Sequence, residues 1–467
     1  MTFSTCCYYS GLLVAFSFAR TSQAFCTELR PRAFSHRPVH SKCTILKMTS
    51  TSERVGEKCS KIVLNPMVTS VKMSKTVEIF SLVKEMEANG ETVTSLCVGE
   101  PDFPPPKAVL DATVEAVTSE PIQTTYTAVT GTVKLRNAIA SDLMRRKNVC
   151  YNPATEIVVS NGAKQAVFQG VLATVGPGDK AIVPAPFWPS YPEMVTLAGG
   201  TPIILPTQPE DGYLINPQNL RSMLEEEGSC VKLLFLCNPS NPTGGVHSRL
   251  ALEAIAEVLR DFPQVAVLAD EIYERLVYSE YETTEPVAQH VSFAAISGMF
   301  DRTITVNGMS KAYAMTGYRL GYLAAPAQIA KACSTIQSQI TSCASSISQA
   351  ASVAALTLVS EEEMQANVLI MQQKRDFVIQ ELRQISHVTL RVPPTGAFYV
   401  LPDVSHFYDG DDAQFCIDLL KSQKLALVPG SSFGAPGTVR ISYATSLQEL
   451  ELAMMKLRTF ISDLLSK

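Results

Sequence analysis

Five segments of this chain share one design, an apolar run that ends abruptly in polar residues or glycine. They are EIVVSNGAKQA from Glu156, KAIVPAPFWPSY from Lys180, VKLLFLCNPSNPTGG from Val231, QVAVLADEIYERL from Gln264 and TITVNGMSK from Thr303. Near-continuous apolar runs suit strands buried on both faces, and stretches with helical spacing, such as SRLALEAIAEVLRDF at 248–262, lie between them. The alternation predicts a mostly parallel α/β sheet covered by helices on both sides. Such sheets bind ligands beyond the carboxyl ends of their strands, which is where the polar residues of all five segments fall.

The 467 residues admit two or three domains. Residues 75–90, KTVEIFSLVKEMEANG, have helical spacing and stop on glycine. After about residue 343 the texture changes to a small-residue helix, SSISQAASVAALTLV, then helices and short strands that include GAFYVLPDV and TVRISYATS. This predicts a smaller α+β domain, joined by 75–102 from the N-terminal side, with the substrate in the cleft between domains. The expected division is a targeting segment at 1–50, an arm with part of the small domain at 51–107, a large ligand-binding domain at 108–345 and the C-terminal small domain at 346–467. The 46% apolar and 18% charged residues support a sizeable core, and the net charge of −5 argues against nucleic acid or an anionic membrane as partner. Of twelve cysteines, four lie in the first 43 residues and the rest are scattered without a C-x-x-C pair. They read as free thiols in a reducing compartment, and no metal site is expected.

Residues 1–50 carry six Lys/Arg and one acid, Glu28. The apolar stretch SGLLVAFSFA is too short to span a bilayer and has the length of a signal-peptide core; the segment after Phe25 is rich in Arg, Ser and His, as transit peptides are. This two-part pattern predicts a plastid address of the kind found in secondary plastids, although no Lys or Arg precedes the apolar stretch. The other reading is a start at Met48 and a cytoplasmic protein.

The strand ends carry the chemistry. Asp270 closes an apolar strand, and reads either as the N-cap of a helix in EIYERLVY or as a buried anion that keeps a cationic ring nitrogen protonated. SNGAKQA, residues 160–166, joins a strand to a helix, and free N–H groups at Gly162, Ala163 and Lys164 would make a phosphate seat. Ser310 and Arg319 can add a hydroxyl and a guanidinium to it. NPSNPTGG at 238–245 reads as an ordinary turn or, with two prolines about Asn241, as a preorganised hydrogen-bond donor. Trp188, the single tryptophan, reads as core or as a stacking surface. Lys311 alone would be a solvated lysine. On a rim shared with an acid, a phosphate seat and an aromatic ring, it fits pyridoxal 5′-phosphate. Lys311 would form an imine with the aldehyde and then shuttle a proton at the substrate Cα. Asp270 would hold the ring nitrogen protonated, and Asn241 and Tyr273 would hydrogen-bond the ring oxygen.

Together SKAYAMTGYRLGY, NPSNPTG, DEIYE, SNGAKQA, GEPDF and VRISYATS resemble class I aminotransferases of pyridoxal-phosphate fold type I, from roughly Val68 to the C-terminus. The resemblance is strongest to prokaryotic-type aspartate aminotransferases and the plastid bifunctional aspartate/prephenate type. It implies a seven-stranded, mostly parallel sheet sandwiched by helices plus a smaller α+β domain. It also implies exchange of amino groups among aspartate, glutamate, oxaloacetate and 2-oxoglutarate, and from an amino donor onto prephenate to make arogenate. Arg440 would fork onto the substrate α-carboxylate, with the Gly99 backbone and Asn241 completing that site. Trp188 would stack on the cofactor ring. Tyr126 would reach the phosphate of a neighbouring subunit, making a homodimer with shared sites. Thr76 and Lys164 would bind a distal carboxylate. The chain departs from the pattern at Gly308, where many relatives carry a serine, at Phe187 and Thr125, and in the extra proline of GEPDFPPPK. An aminotransferase for alanine or aromatic amino acids, or a Cα/Cβ lyase, remains an alternative. A Rossmann enzyme would want G-x-G-x-x-G after its first strand and a DNA-binding regulator a basic helix-turn-helix, and the chain offers neither.

Overall fold

The computed structural model describes residues 63–71, 75–282 and 289–466, and the targeting segment read over residues 1–50 lies outside them. Seven strands form the main sheet, in the order Ile157–Ser160, Gly321–Ala324, Thr303–Gly308, Ala266–Asp270, Val231–Cys237, Lys180–Ala185, Thr201–Pro206. Gly321–Ala324 runs antiparallel to both neighbours and every other pairing is parallel. The sheet is therefore mostly parallel, as the sequence pattern predicts.

Period-two side-chain geometry divides each strand between two cores. In Val231–Cys237, Leu233 and Phe235 pack with Val167 and Val171 of helix Ala163–Thr174 and with Ala330 and Cys333 of helix Ala327–Ile340. Leu234 and Leu236 pack on the other face, against helices Pro217–Glu227 and Arg249–Arg260. The second of these helices is capped by Ser248, whose hydroxyl accepts from the Ala251 N–H at 3.2 Å. It buries Leu252, Ile255, Ala256 and Leu259, a stripe at helical spacing. Truncating Leu252 to alanine would cost about 2–5 kcal/mol.

Two strands of the main sheet escaped the sequence reading. Thr201–Pro206 is an edge strand carrying Pro202 and Pro206, residues that count against a strand in the sequence and are tolerated at an edge. Gly321–Ala324 has only four residues, GYLA, and its glycine is required by packing. A Cβ on Gly321 would lie 2.3 Å from the Ala163 nitrogen, so glycine lets the start of helix Ala163–Thr174 rest on this strand. Opposite it, a Cβ on Gly308 would lie 2.9 Å from the Leu320 carbonyl oxygen. A side chain at that point would require the neighbouring backbone to shift.

The C-terminal layer holds a three-stranded antiparallel sheet, Val428–Pro429, Val439–Ser442 and Tyr399–Val400, and a parallel pair joining Thr94–Ser95 to Leu425–Ala426. Helices Glu361–Leu382, Asp412–Gln423 and Leu447–Leu465 cover it, and its core includes Leu96, Met371, Val378, Phe398, Phe415 and Leu457. Ile272 and Tyr273, just past the end of a main-sheet strand, belong to this core and tie the layers together. Helix Ser346–Thr357 packs instead on helices Lys107–Thr118 and Val133–Lys147, beside the main sheet.

Candidate active site

The carboxyl ends of the strands open into a cleft of about 830 Å³, closed on its far side by residues of the C-terminal layer. Lys311 lies three residues beyond strand Thr303–Gly308, and its Nζ donates to the Gly99 carbonyl. The ammonium also sits 5.7 Å from the centre of the Phe398 ring. Burial pulls it down to about 8; the Glu100 carboxylate opposes this, and the Arg440 and Arg319 guanidinium groups add to it. A lysine in this state is still mostly protonated at pH 7, but its neutral fraction is far above that of an ordinary lysine, and the neutral amine can act as nucleophile or base.

Asp270 ends its strand at the cleft floor. No helix starts after it, since residues 272–275 form a turn, so the N-cap reading does not hold. One Asp270 oxygen accepts from the Tyr191 hydroxyl at 2.7 Å, the other from the Ile272 N–H at 3.3 Å. Burial pushes the carboxyl up to about 6, against those two hydrogen bonds. A cationic partner in the cleft would favour the carboxylate.

At one end of the cleft, helix Ala163–Thr174 begins at Gly162 with no side-chain cap. The Gly162 N–H is not free as expected, since it donates to the Ser160 carbonyl at 2.9 Å, and the Ala163 and Lys164 N–H groups are the ones left available to an anion. Gly162 has φ +84°, and a Cβ there would lie 2.5 Å from Arg319 Nη2. Glycine thus admits the guanidinium to the helix start. Ser310 is buried and lines the same cleft. Lys164, in the first helical turn, places its Nζ 5.2 Å from the centre of the half-buried Trp188 ring. Burial, then Arg319, lowers the Lys164 ammonium. Two cations and a helix start at one end make an anion-attracting pole.

At the other end stands Arg440, on strand Val439–Ser442 and only 4% exposed. Its Nη1 donates to Asn241 Oδ1 at 3.2 Å and its Nη2 to the Cys97 carbonyl. The guanidinium lies over the Tyr399 and Phe433 rings at 4.5 and 4.7 Å, and its buried Nε has no partner among the described residues. A buried arginine with an unanswered donor is arranged to receive an anion. Tyr273 completes this wall, its hydroxyl 2.9 Å from that of Tyr399.

Gly99, Ala163, Lys164, Trp188, Asn241, Asp270, Tyr273, Ser310, Lys311, Arg319 and Arg440 therefore line one cleft, with Gly162 at its edge. Tyr126 is not among them; it is 90% exposed. Thr76 lies on helix Lys75–Ala88, and its side chain is outside the described residues. Sequence reasoning missed Tyr191 and Tyr399. Tyr191 had a signal, three residues past Trp188 in FWPSY. Tyr399 had none, because it meets Tyr273 across 126 residues of chain.

Behind the cleft, the turn after Asp270 faces a buried ion cluster. Lys147 Nζ contacts Glu271 at 2.6 Å and also Glu274, and Arg146 pairs with Glu274 and with Asp142 at 2.9 Å. Glu271, Glu274 and His290 bring ligand atoms within 4.8 Å of one another, but Lys147 already holds both carboxylates.

Residues 91–457 match the family described as Aminotransferase class I and II. The chain is 44% identical over 422 residues to an aspartate aminotransferase of Pinus pinaster, covering 88% of this chain and 83% of that protein. It is 44% identical over 408 residues to a bifunctional aspartate aminotransferase and glutamate/aspartate-prephenate aminotransferase of Petunia hybrida, covering 85% and 82%. Among solved structures it is similar to the aspartate aminotransferase of Rhizobium meliloti, with a TM-score of 0.79 and 35% identity over 86% of this chain and 99% of that one.

Proposed function

The chain belongs to the class I and II aminotransferase family, and from that premise we propose that it exchanges amino groups between L-aspartate or L-glutamate and the 2-oxo acids oxaloacetate and 2-oxoglutarate, and also transaminates prephenate to arogenate. The observation that carries this reading is one cleft in which the buried Arg440, its Nε unanswered, is joined by Lys311 and Asp270. An amino acid needs a carboxylate fork, a base for its Cα proton and an electron-withdrawing partner; Arg440 and Lys311 suit the first two, and Asp270 is placed to hold the third.

Pyridoxal 5′-phosphate fits the donor set. Gly162, Ala163, Ser310 and Arg319 would hold its phosphate, Asp270 its ring nitrogen, Asn241 and Tyr273 its ring oxygen, and Trp188 the flat face; Lys311 would anchor it. When bound, it supplies an electron sink that acidifies the substrate Cα. Asp270, kept in place by Tyr191, stabilises positive charge at the cleft floor. Arg440 orients the α-carboxylate, aided by Asn241. The Lys311 amine takes the Cα proton and returns it, a role suited to an ammonium lowered to about 8.

Lys164, exposed at the cleft end near Trp188, supports a distal-carboxylate role and hence dicarboxylate substrates, with Thr76 as its companion. The relatives named for both aspartate and prephenate support the second activity. A homodimer follows from the same reading. Tyr126 is exposed, as are Leu110, Val114 and Val117 along one side of helix Lys107–Thr118, and Tyr126 would enter the partner's cleft. The large and small domains would meet near residue 107 and just beyond helix Ser346–Thr357, later than the expected 345, since that helix packs on the large side. The basic, acid-poor residues 1–50 support a plastid address, and a start at Met48 would make the protein cytoplasmic.

The test is a panel of amino donors and oxo acids with protein truncated to Thr49 and supplied with the cofactor. Aspartate and glutamate should outrun alanine and aromatic donors, and prephenate should turn over. Faster alanine than aspartate would overturn the dicarboxylate reading, and no prephenate turnover would remove the second activity.

A further inference from the structure

The backbone from Cys97 to Phe103 passes over both basic groups of the cleft. The Cys97 carbonyl accepts from Arg440 and the Gly99 carbonyl from Lys311. Up to Leu96 this segment is held by the sheet, since the Leu96 N–H donates to Ala426 and the Leu96 carbonyl accepts from Ser442. From residue 98 to 105 no backbone–backbone hydrogen bond holds it among the described residues. Pro101, Pro104, Pro105 and Pro106 stiffen the strap but lack N–H donors.

Side chains fasten it instead. Phe103 packs against the C-terminal core. Asp102 accepts two hydrogen bonds, each 2.7 Å, from Lys374 Nζ on helix Glu361–Leu382. Lys374 is only 5% exposed, so its ammonium depends on this carboxylate to balance its charge. Gly99 rests closely on Tyr399, since a Cβ there would lie 1.9 Å from the Tyr399 hydroxyl oxygen. A shift of the strap therefore shifts Gly99 against Tyr399, Lys311 and the wall that carries Arg440.

We propose that Lys374 is a positioning residue that, through Asp102, clamps the strap so that the Cys97 carbonyl holds Arg440, with Gly99 against the same wall, ready for a carboxylate-bearing substrate. The proposal rests on the aminotransferase reading for its substrate and on the strap geometry for its mechanism. It assigns Lys374 to substrate affinity, although the residue does not line the cleft.

The test uses the full protein loaded with pyridoxal phosphate, as Lys374→Met, Lys374→Arg, Asp102→Asn and the double variant D102N/K374M. Two readouts are taken: KM and kcat for aspartate, and the affinity for unreactive maleate followed by fluorescence of Trp188, the single tryptophan. Lys374→Met should raise KM and the maleate Kd about tenfold or more, with kcat changed less than about threefold and the cofactor absorbance retained. Asp102→Asn should follow it, the double variant should be no worse than Lys374→Met, and Lys374→Arg should recover most of the affinity. Unchanged KM and maleate Kd in folded Lys374→Met and Asp102→Asn would overturn the proposal, as would losses that multiply in the double variant. If Lys374→Met fails to fold, Asp102→Asn decides, since it removes the charge and keeps an acceptor for Lys374. Wild-type protein that binds maleate but does not transaminate, with Asp102→Asn still weakening maleate, would refute the aminotransferase reading and leave the clamp standing.

Discussion

The turn that follows Asp270 has two sides, and they treat charge in opposite ways. On the cleft side, Asp270 has neutral hydrogen-bond partners, Arg440 keeps an unanswered Nε and Lys311 is held by a backbone carbonyl. On the other side, Glu271, Glu274 and Arg275 face Lys147, Arg146, Asp142 and Glu361 in a dense set of ion pairs. The ionisable groups shift accordingly. Burial pushes Asp270 up to about 6, whereas neighbouring Arg146 and Lys147 overcome burial and hold Glu274 far below the usual carboxylate range. A site that must accept a charged ligand leaves charges incompletely answered, and the scaffold behind it sets each of these charges against an opposite one. The contrast separates groups whose loss removes activity from groups whose loss removes stability.

The largest expected effect is on the cleft side. Lys311→Ala should abolish the visible absorbance of cofactor-loaded protein and reduce turnover by about four orders of magnitude, while the denaturant midpoint stays close to wild type. Undiminished turnover would break the comparison at its centre. Next comes the scaffold side. Lys147→Met leaves Glu271 without its cation in the interior, takes one of two from Glu274, and should cost about 3–5 kcal/mol of stability, read from denaturant unfolding. A loss below 1 kcal/mol would mean that the cluster is answered by groups other than Lys147.

Smaller effects sharpen the cleft side. Lys164→Ala should weaken aspartate about tenfold relative to alanine, as loss of one charge-assisted contact predicts; equal losses for both donors would remove Lys164 from specificity. The smallest effect concerns pH. The neutral Lys311 amine is the form that condenses with an aldehyde, and its ammonium is lowered to about 8. The rate at which apoprotein takes up pyridoxal phosphate should therefore rise with pH and level off above about 8; a rise that continues to pH 10 would contradict the burial argument. Tyr191→Phe removes a donor that lowers the Asp270 carboxyl, so that carboxyl should titrate higher, with turnover reduced less than about tenfold.

Much of this site was legible because its pieces are local. A strand end, a tight turn and a helix start each occupy fewer than about ten residues, and their residue types carry the chemistry with them. SNGAKQA, DEIYE and NGMSK could be recognised one at a time, and the five apolar runs implied the parallel sheet that places them along one edge. The antiparallel strand Gly321–Ala324 was not legible, because strand direction depends on a partner and not on composition. The sequence shows only that a serine common in relatives is absent at Gly308; the fold shows that a Cβ there would lie 2.9 Å from the Leu320 carbonyl oxygen, so a side chain would need the backbone to shift.

What the sequence by itself determined is the inventory, namely a lysine, an acid and a glycine-led helix start beyond the ends of buried strands, and an arginine near the C-terminus. Tertiary structure alone decided which side of each turn faces the cleft, that Tyr399 meets Tyr273 and Arg440, and that Lys147 answers Glu271 and Glu274 behind it. The physical reason is range. Backbone propensity and side-chain type act over a few residues, whereas burial and charge pairing join groups more than a hundred residues apart, and only the folded chain brings those groups within a few ångströms.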